Sequence, residues 1–270
     1  MKTKLCIWSM ALMTLALVGC EGGGNNPENP SNVDENGALR GKFSISGNKQ
    51  IQFSCGNLQY QASTNTWRFA EHQWDAVGKG NKNISPTYDG WIDLFGWGTG
   101  SNPTLTSSLT HDYLVFTDWG KNKISNGGNE NNLWRTMTKE EWEYLLFNRP
   151  YAENLRAPAF VNNVVGYIIL PDKWSLPKGV SFVATADEWG MNTYEPSAWQ
   201  KMEAAGAVFL PACGFRGGTN LLGSGCHYAS STMSTESDVK CYEAFLTQDK
   251  AEVCLGYRYY ATSVRLIKVQ

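Results

Sequence analysis

Apolar and polar positions alternate with period two from Lys42 to Ile45 and again from Gln50 to Ser54, with Gly47-Asn48 between the two runs. The alternation predicts a β-hairpin that buries one face and turns at a dipeptide tolerant of left-handed backbone. Thr66 to Ala70 reads as another strand, and so do the apolar runs at 164–170, 207–215, 241–247 and 260–269. The stretch YDGWIDLFGWGTG at 88–100 is neither helical nor alternating, and the Asn-, Ser- and Gly-rich segments after it read as loops.

Two segments switch to helical spacing. Thr138-Lys139-Glu140-Glu141 has the capping-box pattern, with Met137 and Trp142 placed for a hydrophobic staple and Trp142, Leu145 and Leu146 on one stripe. Glu140, Glu141 and Glu143 suit the positive end of the helix dipole, and Arg149-Pro150 ends the run. These glutamates are therefore accounted for by the helix alone. In EPSAWQKMEAAG, 195–206, Pro196 fits a first turn, Trp199, Met202 and Ala205 share a face, and Gly206 stands at the stop. The expected class is α+β, short strands and loops with about two helices.

The N-terminus adds a compartment. Lys2 and Lys4 precede an apolar run from Leu5 to Val18, too short to span a bilayer, which reads as a signal peptide over 1–19. Leu17-Val18-Gly19-Cys20 resembles a bacterial lipobox, which implies acylation of Cys20 and anchorage through lipid rather than a spanning helix. Glu21 follows, without an aspartate that would favour inner-membrane retention, so the expectation is an outer-membrane lipoprotein facing either the periplasm or the cell surface. EGGGNNPENPSNVDENG is too polar to offset the entropy of ordering it, so residues 20–39 are expected to be a lipidated tether and 40–270 one domain.

Composition narrows the partners. With 42% hydrophobic residues the domain can bury a substantial core. The net charge of -2 and pI near 6.0 leave no basic field for nucleic acid.

The segment Trp134 to Leu145 resembles a W-R-L-P-T-E-A-E-W-E-Y-A stretch of the formylglycine-generating, sulfatase-modifying proteins, which have a C-type-lectin-like fold. Residues 53–75, 90–100, 169–172, 205–218, 228–232 and 263–269 look closer to a group of Bacteroidetes lipoproteins on that scaffold, related to the Fibrobacter major paralogous domain. The resemblance covers nearly all of 40–270 and implies a sulfatase-modifying-factor-type fold. It also implies a test, because the oxidase members hold Cu(I) with a Cys-His followed by a second cysteine. Here Cys226-His227 is present, but Ser231 stands in the second place, and a hydroxyl is a poor ligand for soft Cu(I).

Five cysteines remain beyond Cys6 and Cys20. If 207–216 and 225–231 pair as antiparallel strands about the Gly217-Thr219-Leu221 turn, Cys213 faces Cys226 as a candidate cross-strand disulfide, with Cys241 and Cys254 a second candidate pair and Cys55 left over. No pair has zinc spacing, His72, His111 and His227 are isolated, and there is no GxSxG elbow or phosphate-cradling glycine loop.

The expectation is a non-catalytic binding domain for a glycan or an envelope protein, as an adhesin or assembly component. The alternatives are a divergent oxidase using Cys226 and a purely structural envelope protein. Among eleven tryptophans, Trp67, Trp74, Trp91, Trp97, Trp134 and Trp142 read as core, and Trp119, Trp174 and Trp189 as the surface candidates for stacking. Calcium is the one cofactor weighed, with Asp118, Asn126, Asn129 and Glu130 in an oxygen-rich loop as candidate ligands.

Overall fold

The structure, a computed structural model, describes residues 32–269. The signal-peptide and Cys20 readings lie outside the described residues. No described helix is long and apolar enough to cross a membrane.

Strands dominate, and they form four sheets. The expected hairpin is there: Phe43–Ser46 pairs antiparallel with Lys49–Phe53, with Phe43 opposite Ile51. Ile267–Val269 pairs antiparallel with the other side of Lys49–Phe53, joining strands more than two hundred positions apart. The buried face of this sheet carries Phe43 and Phe53, whose rings meet edge to face at 5.1 Å.

The first helix forms as its capping box dictates. Over Lys139–Glu143, Thr138 Oγ1 accepts from the Glu141 amide at 3.2 Å, and the Glu141 carboxylate accepts from the Thr138 amide at 2.9 Å. Arg135 clamps that carboxylate with two N–H donors at 2.6 Å each. Met137 and Trp142 are both fully buried in the same core as Phe43 and Phe53. The stretch toward Arg149 does not continue as α-helix; it widens into one π-helical turn, Tyr144–Asn148, closed by the Arg149 amide on the Tyr144 carbonyl.

The second helix, Pro196–Ala204, buries Trp199 and Met202 against a four-stranded sheet ordered Val208–Pro211, Val164–Ile169, Arg156–Val161, Thr193–Tyr194. Gly206 ends it at φ +97°, and a Cβ there would sit 2.8 Å from the Gly41 Cα, so glycine is required twice over.

The remaining large sheet has seven strands and includes Cys226–Met233, Lys240–Leu246 and Ala251–Tyr257. Two expected strands are interrupted. The 207–215 run stops at Pro211 and resumes as Phe215–Gly217, past Gly214 at φ +63°. The 88–100 stretch, which showed no pattern, contributes two short strands, Trp91–Ile92 and Leu94–Phe95.

Residues 32–39 were assigned to the tether, yet Ala38 and Leu39 are fully buried, and the Asp34 carboxylate accepts from the Asn36 and Ala38 amides at 2.9 and 2.8 Å. Asn32 reaches Glu203, which Gln73 also binds, and Gln73 in turn accepts from Arg265 at 2.7 Å. The apolar pair Ala38-Leu39 sits at the end of a polar stretch, where composition averaged it away. The compact unit spans Asn32–Gln270.

Candidate functional site

The cysteine pairing is corrected first. Cys55, Cys213, Cys226, Cys241 and Cys254 are all free thiols. Cys226–Met233 pairs with Lys240–Leu246, placing Cys226 opposite Leu246, while Phe215–Gly217 forms its own tight hairpin with Asn220–Leu222. Gly214 does donate to the Gly225 carbonyl at 3.1 Å, the register expected beside Cys213 and Cys226, but the thiols are not joined; Cys241 lies opposite Gly256 and Cys254 opposite Glu243, so the second candidate pair is out of register. Cys226 is fully buried and donates to the Leu210 carbonyl at 3.2 Å. Burial pushes its thiol, and that of Cys213, well above the usual range, lifts Cys55 to about 11, and with the nearby Glu243 and Glu252 takes Cys254 to about 12. Thiolates, which copper ligation and nucleophilic attack both need, are disfavoured at every one of these positions.

His227 is not isolated in space. Its Nδ1 lies 2.9 Å from Glu243 Oε1 and its Nε2 3.3 Å from the Ser224 carbonyl, with Phe215 and Phe245 packed on the ring. Both ring nitrogens are engaged and the ring is buried, so this pair braces the sheet.

The oxygen-rich loop is also committed internally. Asp118 accepts from the Gly120 amide at 2.9 Å and from both the amide and the hydroxyl of Thr136 at 3.0 and 3.1 Å. Asn126 bonds the backbone of Phe69 in both directions. Asn129 and Glu130 are exposed, and the described residues hold no cluster of three His, Cys, Asp or Glu able to grip a metal. Two of the four candidate ligands, Asp118 and Asn126, thus already serve to fix loops.

The tryptophans change places. Trp119, expected at the surface, is fully buried among Phe95 and Phe116, because the turn capped by Asp118 swings it inward. Trp174 and Trp189 are half-buried against core clusters. Trp67, Trp97, Trp134 and Trp142 are core, as expected; Trp91, read with them, is partly exposed.

Trp91 belongs to a small sheet ordered Thr66–Phe69, Leu58–Gln61, Trp91–Ile92. Period-two geometry sorts its side chains. Leu58, Tyr60, Trp67, Phe69 and Ile92 point into the core, which leaves Gln59, Gln61, Thr66, Arg68 and Trp91 on the outer face. The Arg68 guanidinium lies 3.8 Å over the Trp91 ring, and its Nε donates to Gln59 Oε1 at 2.9 Å. Gln61 donates to the Asp89 carbonyl and accepts from Thr64 at 2.7 Å.

Two loops wall this face into an open groove of about 410 Å³, lined by Gln59, Arg68, Asp75, Val77, Tyr88 and Trp91 among others. Tyr88 folds back over Gly90, where any Cβ would collide with its ring. The opposite wall, Gly78–Lys82, is tied down by Asp93, whose carboxylate accepts from the Val77 amide and the Asn81 side chain at 2.9 and 2.7 Å. Asn81 returns its oxygen to the Asp93 and Leu94 amides. Burial raises the Asp93 pKa.

Chemically the groove offers the Tyr88 ring and the part of the Trp91 indole that Arg68 does not cover, with guanidinium and carboxylate groups beside them for hydrogen bonds. The alternation of Leu58–Gln61 and Thr66–Phe69 marks those outward positions in the sequence; nothing local marks Tyr88 or Asp75 as their neighbours.

A second aromatic surface lies on the large sheet. Tyr257 stacks on Tyr259 at 5.2 Å, Tyr259 meets Tyr260 at 4.9 Å, and Tyr260 meets Phe215 at 4.6 Å. All four rings are partly or fully exposed.

No protein-family model matches this chain, and neither do any curated protein or solved structure.

Proposed function

We propose that this chain is a lipid-anchored envelope protein whose single domain, of the C-type-lectin-like, sulfatase-modifying-factor type, binds a glycan without catalysis. The observation that carries the reading is the groove of Gln59, Arg68, Asp75, Tyr88 and Trp91. A sugar ring has an apolar face and a rim of hydroxyls, and this groove sets ring faces beside bidentate polar groups. The lipobox-like Leu17-Val18-Gly19-Cys20 supports an outer-membrane anchor, where a glycan partner would be met. The disfavoured thiolate at Cys226 supports binding over oxidation.

The test is a glycan array probed with soluble residues 21–270, with and without calcium, beside a Trp91→Ala variant. Binding to one glycan class that disappears in the variant supports the reading. A blank array in both conditions overturns sugar recognition.

The Tyr257, Tyr259 and Tyr260 cluster favours a second reading, contact with a protein of the envelope, since aromatic clusters of this kind anchor interfaces. In-cell crosslinking that captures one defined partner, lost in Tyr257→Ser/Tyr259→Ser, would support it; an unchanged crosslinking pattern would remove it.

A further inference from the structure

A cavity of about 310 Å³ lies away from the Trp91 groove, where Arg40, Gly41 and Lys42 pass Pro171–Lys173 and the end of the Pro196–Ala204 helix. Three cations line it, Arg40, Lys42 and Lys173, all exposed, and none forms an ion pair among the described residues. The one acid in the lining is Asp172, and its charge is spent. Its Oδ1 accepts from Arg149 at 3.1 Å, and its Oδ2 accepts from Ser44 at 2.6 Å and from Gln50 at 2.9 Å. The cavity therefore carries an excess of positive charge.

Two more features point the same way. Arg149 is buried, and its Nε and Nη2 have no acceptor, so the Asp172 ion pair is richer in donors than in acceptors. The amides of Arg40 and Gly41 donate to no acceptor among the described residues. The C-terminal end of the helix at the wall brings partial negative charge, reduced because the Ala205, Gly206 and Ala207 amides donate to the Lys201, Glu203 and Met202 carbonyls, and three full cations outweigh it. One side of the cavity is set by the close crossing of Gly41 and Gly206, where a Cβ on Gly41 would collide with the Gly206 carbonyl oxygen.

We infer that this cavity binds a phosphate- or sulfate-type oxyanion group, held by Arg40, Lys42 and Lys173 over the Asp172–Arg149 pair. The site is independent of the glycan groove. The anion could arrive as a free ion or on a lipid headgroup, and the test separates these sources.

The full chain would be titrated calorimetrically at low ionic strength with inorganic phosphate and with inorganic sulfate, and co-sedimented with phosphatidylcholine vesicles with and without phosphatidic acid. A site variant, Arg40→Gln/Lys42→Gln/Lys173→Gln, would be compared with a charge-matched control, Lys79→Gln/Lys82→Gln/Lys123→Gln. All six side chains are exposed, so both variants should fold. Expected is binding that weakens at least tenfold in the site variant, holds in the control, and fades as salt rises. Saturation by the free ions alone identifies a soluble oxyanion, and binding only to phosphatidic-acid vesicles identifies a headgroup. No binding of any probe, or an equal loss in both variants, overturns the site.

Discussion

Arg68 lies over Trp91, its guanidinium carbon 3.8 Å from the ring centroid, while Gln59 Oε1 on the neighbouring strand accepts from its Nε. The arginine is thus oriented before any ligand arrives. Its remaining N–H groups and the exposed indole edge are presented to the groove together, which reduces the ordering cost of binding.

This arrangement separates two tryptophans by consequence. Trp91→Ala should leave unfolding by denaturant within about 1 kcal/mol of the parent, since a half-exposed ring on a sheet face is removed. Trp119→Ala should cost about 3–5 kcal/mol, because a fully buried ring leaves a cavity. Equal losses in the two variants would show that Trp91 is a packing residue.

The wall of the groove depends on Asp93. Asp93→Ala strips acceptors from the Val77 amide and Asn81, and should cost about 1–3 kcal/mol. Hydrogen exchange should accelerate over residues 77–83 more than in the Lys139–Glu143 helix. Uniform acceleration would mean that Asp93 supports the whole core instead.

Glu141 closes the capping box and receives both N–H donors of Arg135. Glu141→Ala should lower stability by about 1–2 kcal/mol, near the upper range for losing a cap. Arg135→Ala alone should cost less, as the Thr138 cap survives it. The comparison is made by chemical denaturation of both variants, and a costlier Arg135→Ala would contradict the cap's primacy.

Acid should loosen the N-terminal segment. Burial alone would raise the Asp34 pKa, but hydrogen bonds from Lys268, Ala38 and Asn36 outweigh it and hold the carboxyl below its usual 3.8. A lowered folded pKa contributes stability that is complete above the unfolded value and lost as pH falls through the folded one. Asp34→Asn should therefore be less stable than the parent at pH ~7, by at most about 1 kcal/mol for a pair this open to water, and the gap should close toward pH ~3. A gap that does not change with pH would count against the ion pair with Lys268.

Much of the local structure was legible. The hairpin at Phe43–Ser46 and Lys49–Phe53 follows from alternation alone, and the Thr138 cap follows from spacing, because each uses hydrogen bonds between residues only a few positions apart. The Pro196–Ala204 helix, with its glycine stop, belongs with them. The site was legible only in part. Outward positions such as Gln59 and Arg68 follow from parity, but parity cannot say that Tyr88 and Asp75 wall the same groove.

What the sequence by itself determined is therefore the inventory of elements and the polarity of their faces. Only the tertiary structure decided which tryptophan is core and which is surface, why none of the five described cysteines is bonded to another, and that residues 32–39 pack into the fold. Those outcomes rest on contacts such as Gln73 with Arg265, 192 positions apart, and Asn32 with Glu203, 171 apart. Burial at one residue is set by which distant segment packs on it, and no local pattern encodes that choice.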